Sequence, residues 1–95
     1  MENYKTEVIL TGEFTTIDVF LEGTEVPLSE TESNTYYKEY PAFAIEGLLD
    51  LNVRLKGWTG MSWSLKIKIR DKEVYSRSGV FDIKGFVTFT ASIQV

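Results

Sequence analysis

The segment Lys56-Gly57-Trp58-Thr59-Gly60-Met61-Ser62-Trp63 sets two tryptophans five residues apart across a glycine-containing break. An indole on a loop can stack on a sugar ring or fill a pocket in a partner, because it brings a large rigid surface with few torsions to freeze. Tyr36, Tyr37 and Tyr40, beside Pro41, offer the same chemistry with hydroxyls added. On a strand Tyr36 and Tyr40 share one face and Tyr37 takes the other, so at most two of them line one surface. Trp58 and these three tyrosines are the candidate contact residues for a protein or a carbohydrate.

The chain has no histidine and no cysteine. That removes the usual general base near neutral pH, the usual zinc and copper ligands, and every Ser-His or Cys-His nucleophile. Disulfides are excluded as well, so the core must supply the stability unaided. The acid-rich stretch holding Glu22, Glu25, Glu30 and Glu32 lacks the Asp-x-Asp-x-Asp-Gly spacing of a calcium loop. Carboxylate pairs such as Asp18 with Glu46 can be named, but nothing in their spacing makes them converge as a glycosidase requires. The expectation is a non-enzymatic protein with no catalytic residues, metal or cofactor.

Charge is distributed unevenly. Residues 1–50 carry a net charge of −9 and residues 51–95 a net charge of +5, for a total of −4. By alternation, Arg54, Lys56, Lys66, Lys68, Arg70 and Arg77 take the outward positions of three successive strands and form a basic face around Tyr75. Such a face could bind a polyanion, meet the acidic surface of another copy, or be offset within the monomer by Glu7, Asp18 and Glu22. The acidic balance, with a pI near 4.8, argues against a nucleic-acid module.

The elements that must position these groups are strands. Leu49, Leu51, Val53 and Leu55 alternate with polar residues, as do Trp63, Leu65, Ile67 and Ile69, and then Val87, Phe89, Ala91 and Ile93. Period-two runs of this kind put one face in a core and the other in water. Strands are predicted near 4–11, 14–22, 25–28, 35–46, 48–56, 62–70, 73–78 and 86–95, with a bulge near Phe14 and a two-residue hairpin at Asp71-Lys72. Pro27 and Pro41 mark sheet edges or bulges, and Ser29–Asn34 is the longest loop. Phe81 and Ile83 anchor a connection from one sheet to the other. Leu51, Val53, Leu65, Ile67, Phe89 and Ile93 are the expected core. The same parity puts Trp63 inside and leaves Trp58 at the tip.

Seven or eight strands in 95 residues predict one all-β domain over residues 1–95, a two-sheet antiparallel sandwich of immunoglobulin-like architecture, with a small closed barrel as the competing closure. Neither a signal-like start nor a run of ~20 apolar residues is present, which predicts a soluble cytoplasmic protein, or an exported domain whose signal has been removed. The functional expectation is an interaction or assembly module that contacts another protein or a second copy of itself. The alternative is a carbohydrate-binding module using the loop and edge aromatics.

Overall fold

Strict alternation gives a pleated strand one apolar face and gives a helix none, and the chain folds accordingly. The computed structural model describes residues 2–95, which form nine strands and no helix. They are β1 (Glu2–Gly12), β2 (Thr16–Leu21), β3 (Thr24–Glu25), β4 (Ser29–Glu32), β5 (Thr35–Ile45), β6 (Leu48–Lys56), β7 (Ser62–Ile69), β8 (Lys72–Val80) and β9 (Phe86–Gln94). Two antiparallel sheets result, one ordered β4-β5-β1-β7-β8 and the other β3-β2-β6-β9. They pack as a sandwich, and no closed barrel forms among the described residues. The strand order has its own logic: β1 is central in the larger sheet, whereas an immunoglobulin domain keeps its first strand at an edge.

The inner faces meet in a single apolar cluster. Val8 and Leu10 of β1 and Leu65 and Ile67 of β7 join Val19, Leu21, Leu49, Leu51, Val53 and Leu55 from β2 and β6. All six residues expected in the core are buried. Trp63 is also inside, 5% exposed, stacked on Phe89 with ring centroids 5.7 Å apart. Its indole lies over Gly79 of β8, where an added Cβ would come within 3.1 Å of the ring.

Three local expectations are corrected. Ser29–Glu32 forms the short edge strand β4 rather than a loop, and all four residues are exposed, which is why it shows no alternation. The hairpin after β7 turns at Arg70-Asp71, one residue earlier than expected, with φ of 55° and 65°, the pattern of a type I′ turn. Phe14 is not a bulge within a strand; it lies where the chain leaves the larger sheet after β1 and enters the smaller one at β2. Pro41 behaves as its missing N–H requires, sitting where the register between β1 and β5 shifts and where β5 has no second neighbour.

Leu65→Ala or Ile67→Ala should cost about 2–5 kcal/mol, since each removes fully buried side-chain volume from the middle of the sandwich. Chemical denaturation of each variant measures it; an unchanged midpoint would refute the face assignment of β7.

Candidate functional site

Two connections meet at one end of the sandwich: the β6–β7 loop, residues 57–61, and the β8–β9 connection, residues 81–85. Backbone hydrogen bonds tie them together. The Gly60 N–H donates to the Phe81 carbonyl at 2.9 Å, the Phe81 N–H to the Met61 carbonyl at 3.0 Å, and the Gly57 N–H to the Gly85 carbonyl at 3.0 Å. The Thr59 hydroxyl donates to the Asp82 carbonyl at 3.0 Å, and the Lys84 N–H donates to the Asp82 carboxylate at 2.9 Å. Within the first loop, Met61 donates to the Trp58 carbonyl across a turn whose third residue, Gly60, has φ 86°, the signature of type II.

Beneath this bracket Phe81 closes the end of the core. It is 1% exposed and packs edge-on against Phe14, whose ring in turn meets Tyr36. Phe81 fits because position 57 is glycine: a Cβ there would overlap its ring and sit 2.8 Å from the Glu13 carbonyl. With Phe81 as the plug, Trp58 is left at the tip, 62% exposed. Ile83, expected to anchor the crossing as Phe81 does, instead stands 89% exposed.

The apolar surface there extends beyond the tryptophan. Among the described residues seven large apolar side chains are exposed, and five of them, Trp58, Met61, Val80, Ile83 and Phe86, lie on these two connections or the strand ends that flank them. Lys56 and Lys84 stand exposed beside them. Sequence reasoning found only Trp58. Phe86 was legible, because it shares the outward parity of Thr88 and Thr90.

The tyrosines do not join Trp58 on one surface. Tyr36 and Tyr40 lie opposite Leu10 and Thr6 on the inner face of β5, half-buried, and Tyr40 packs against Phe43. Tyr37 takes the outer face, where its hydroxyl is shared between the Glu7 carboxylate at 2.9 Å and the Glu39 carboxylate at 3.1 Å. Lys5 lies 3.6 Å from Glu7 and 2.7 Å from Asp71. Burial, reinforced by hydrogen bonds to the two carboxylates, holds the Tyr37 phenol far above its usual range.

The expected basic face is divided. Arg54 and Lys56 belong to β6 and Lys66 and Lys68 to β7; these consecutive strands lie in different sheets, so their outward faces point to opposite sides of the sandwich. Arg70 is in the turn, its guanidinium 4.5 Å from the Tyr4 ring and 3.7 Å from Glu2. Arg77 is turned inward by a register shift: Lys68 pairs with Glu73 but Ile67 pairs with Tyr75, leaving Val74 as the extra residue. Beyond that bulge every face is exchanged, and Arg77 lies opposite Leu65 with its guanidinium 4.2 Å from the Phe89 ring. Of the acids proposed to offset the patch, Glu7 lies opposite Lys68 and Asp18 opposite Arg54. Glu22 instead accepts a hydrogen bond from the Asp50 N–H.

On the outer face of the smaller sheet, a groove of about 580 Å³ is lined by Phe20, Asp50, Asn52, Thr90 and Ser92, with the Ser92 hydroxyl 3.2 Å from the Asp50 carboxylate. Among the described residues no three acids converge as metal ligands, and Asp18 and Glu46 lie on a strand and in the turn after β5 respectively. Comparison with known proteins finds no matching family model, curated protein or solved structure.

Phe81→Ala should cost about 3–5 kcal/mol, as loss of a buried aromatic does, while Trp58→Ala should stay within about 0.5 kcal/mol. Fluorescence should show a blue-shifted emitter from Trp63 and a redder one that disappears in Trp58→Ala. Equal destabilisation by the two substitutions would make Trp58 part of the plug.

Tyr37 gives a pH test. Its native phenol stays protonated where an unfolded one, with a reference value of 10.0, ionises. Its contribution to stability is therefore complete below about pH 10 and is lost progressively above it. Tyr37→Phe should give a shallower loss of stability between about pH 10 and 11.5 in denaturation series; parallel curves would show that the phenol titrates normally.

Proposed function

We propose that the chain is a non-enzymatic interaction module that engages another protein through its apolar tip. The observation that supports this is the gathering of Trp58, Met61, Val80, Ile83 and Phe86 at one end of the sandwich. Exposed apolar side chains scattered singly need no explanation, but an exposed apolar group is the mark of a contact surface. Here Trp58, Met61 and Ile83 lie on the two joined connections, while Val80 and Phe86 flank them on the outer faces of opposite sheets. The hydrogen bonds linking the two connections hold the group in place before a partner arrives, so little ordering entropy is lost on binding. A convex tip of this kind suits a pocket on another protein, with the lysines at its rim steering the approach.

A carbohydrate reading is favoured by a different place from the loop and edge aromatics, namely the groove on the smaller sheet. There the Phe20 ring could stack on a sugar while Asp50, Asn52, Thr90 and Ser92 bond its hydroxyls.

A photocrosslinking residue at position 83, compared with one at the exposed position 25 in β3, tests the protein-contact reading. Discrete adducts with protein from a native extract at position 83 alone are expected. Equal labelling at both positions, or co-sedimentation with phosphatidylserine vesicles and no protein adduct, would exclude it. Glycan binding abolished by Phe20→Ala would instead favour the groove.

A further inference from the structure

Most sheet edges in this molecule carry a device that discourages pairing with another chain. β3 is two residues long, and β4 has four residues including Glu30 and Glu32. The open part of β5 contains Pro41 and a register shift. β8 has the bulge at Val74 and carries Lys72, Glu73 and Arg77. The open part of β2, beyond its two-residue pairing with β3, is short and carries Asp18. The remaining edge, β9, has none of these. Its nine residues, Phe-Val-Thr-Phe-Thr-Ala-Ser-Ile-Gln, include no charge, no proline, no glycine and no register shift.

The register shows which of its backbone groups are free. The Gly57 N–H bonds to the Gly85 carbonyl, which makes that a hydrogen-bonded pair at the head of the β6–β9 ladder. Alternation along an antiparallel pair then turns the backbone groups of Val87, Phe89, Ala91 and Ile93 toward β6. Those of Phe86, Thr88, Thr90, Ser92 and Gln94 point away, at an edge with no further strand.

We propose that this edge pairs antiparallel with β9 of a second copy, about a two-fold axis at Thr90, joining two four-stranded sheets into one continuous sheet. The sequence of β9 suits that register. Around Thr90, Thr88 falls opposite Ser92 and Phe86 opposite Gln94 on the outer face, while Phe89 falls opposite Ala91 and Val87 opposite Ile93 on the inner face. On the inner face apolar residues meet apolar ones, at the centre of the outer face hydroxyls meet hydroxyls, and the largest central side chain meets the smallest. Only the outermost pair, Phe86 with Gln94, is mixed, and β9 itself has no charge to appose. A strand from an unrelated protein would not require β9 to be complementary to itself. This pairing is independent of the tip, and it would place the two tips at opposite ends of the assembly.

The absence of cysteine provides a direct test of register. In the paired state Thr90 faces its own symmetry mate across a hydrogen-bonded pair, at a Cα separation of about 5.5 Å that a disulfide can span. Thr88 is displaced from its mate by four residues, roughly 14 Å. Mild oxidation of the full chain should therefore crosslink Thr90→Cys and leave Thr88→Cys monomeric, and light scattering of the parent should give twice the 10.9 kDa chain mass. Thr88→Lys with Ser92→Lys creates two like-charge pairs and should raise the dissociation constant roughly tenfold. Thr88→Glu with Ser92→Lys creates two opposite-charge pairs and should lower it, with both folds checked by circular dichroism. A parent monomeric at roughly millimolar concentration, equal crosslinking at the two positions, or a dimer lost in Trp58→Ser but kept in Thr88→Lys with Ser92→Lys would overturn the proposal.

Discussion

Leu49, Leu51, Val53 and Leu55 of β6 form an unbroken file of aliphatic side chains that joins Val8, Leu10, Leu65 and Ile67 from the opposite sheet in one buried cluster. Without disulfides, this contact must offset the entropy of ordering a 95-residue chain. It also fixes the register of the central strands, since slipping any of them by one residue would turn a polar row into the core. The outward rows are thereby fixed too: the placement of Tyr37 between Glu7 and Glu39 follows from Val8 facing inward.

An open sandwich has ends as well as faces, and the two tryptophans are explained by how one end is closed. Phe81 fills the space above Gly57, so the β6–β7 loop can spread over it without contributing a side chain to the core. Trp63 is confined beside Gly79 and Phe89, and its buried indole N–H meets no hydrogen-bond acceptor among the described residues. An unpaired buried donor weakens the fold, so at position 63 the packing of the ring outweighs the polarity of its nitrogen.

The central strands were legible because each buries one face and exposes the other. β6 in particular was predicted at the bounds it has, Leu48–Lys56. β4 was not legible, since a strand exposed on both faces has no reason to alternate. Parity also says nothing about which sheet a strand joins. That is why Arg54 and Lys66 looked like neighbours and are on opposite sides. Arg77 was misplaced for a more local reason, a single extra residue at Val74 whose side chain carries no signal of a bulge. The tip was only partly visible: the glycines flanking Trp58 marked its loop, but bringing Ile83 and Phe86 beside it depends on pairing between β6 and β9. That contact is non-local, and no window along the chain contains it.

The central position of β1 bears on how the molecule is made. Its neighbours are β5 and β7, so Val8, Ile9 and Leu10 have no partners until Tyr36, Tyr37 and Lys38, and none on the other side until Leu65, Lys66 and Ile67, have been synthesised. At ~5–20 residues per second that interval lasts several seconds. Until β5 is made the nascent chain presents an apolar strand with two open edges, and until β7 is made one of them stays open. Local hairpins cannot relieve this, because β2, the next strand, leaves for the other sheet. Although it precedes the other eight strands in sequence, β1 is therefore fully paired only once β7 has been made, and until then it is a segment in need of shielding during translation.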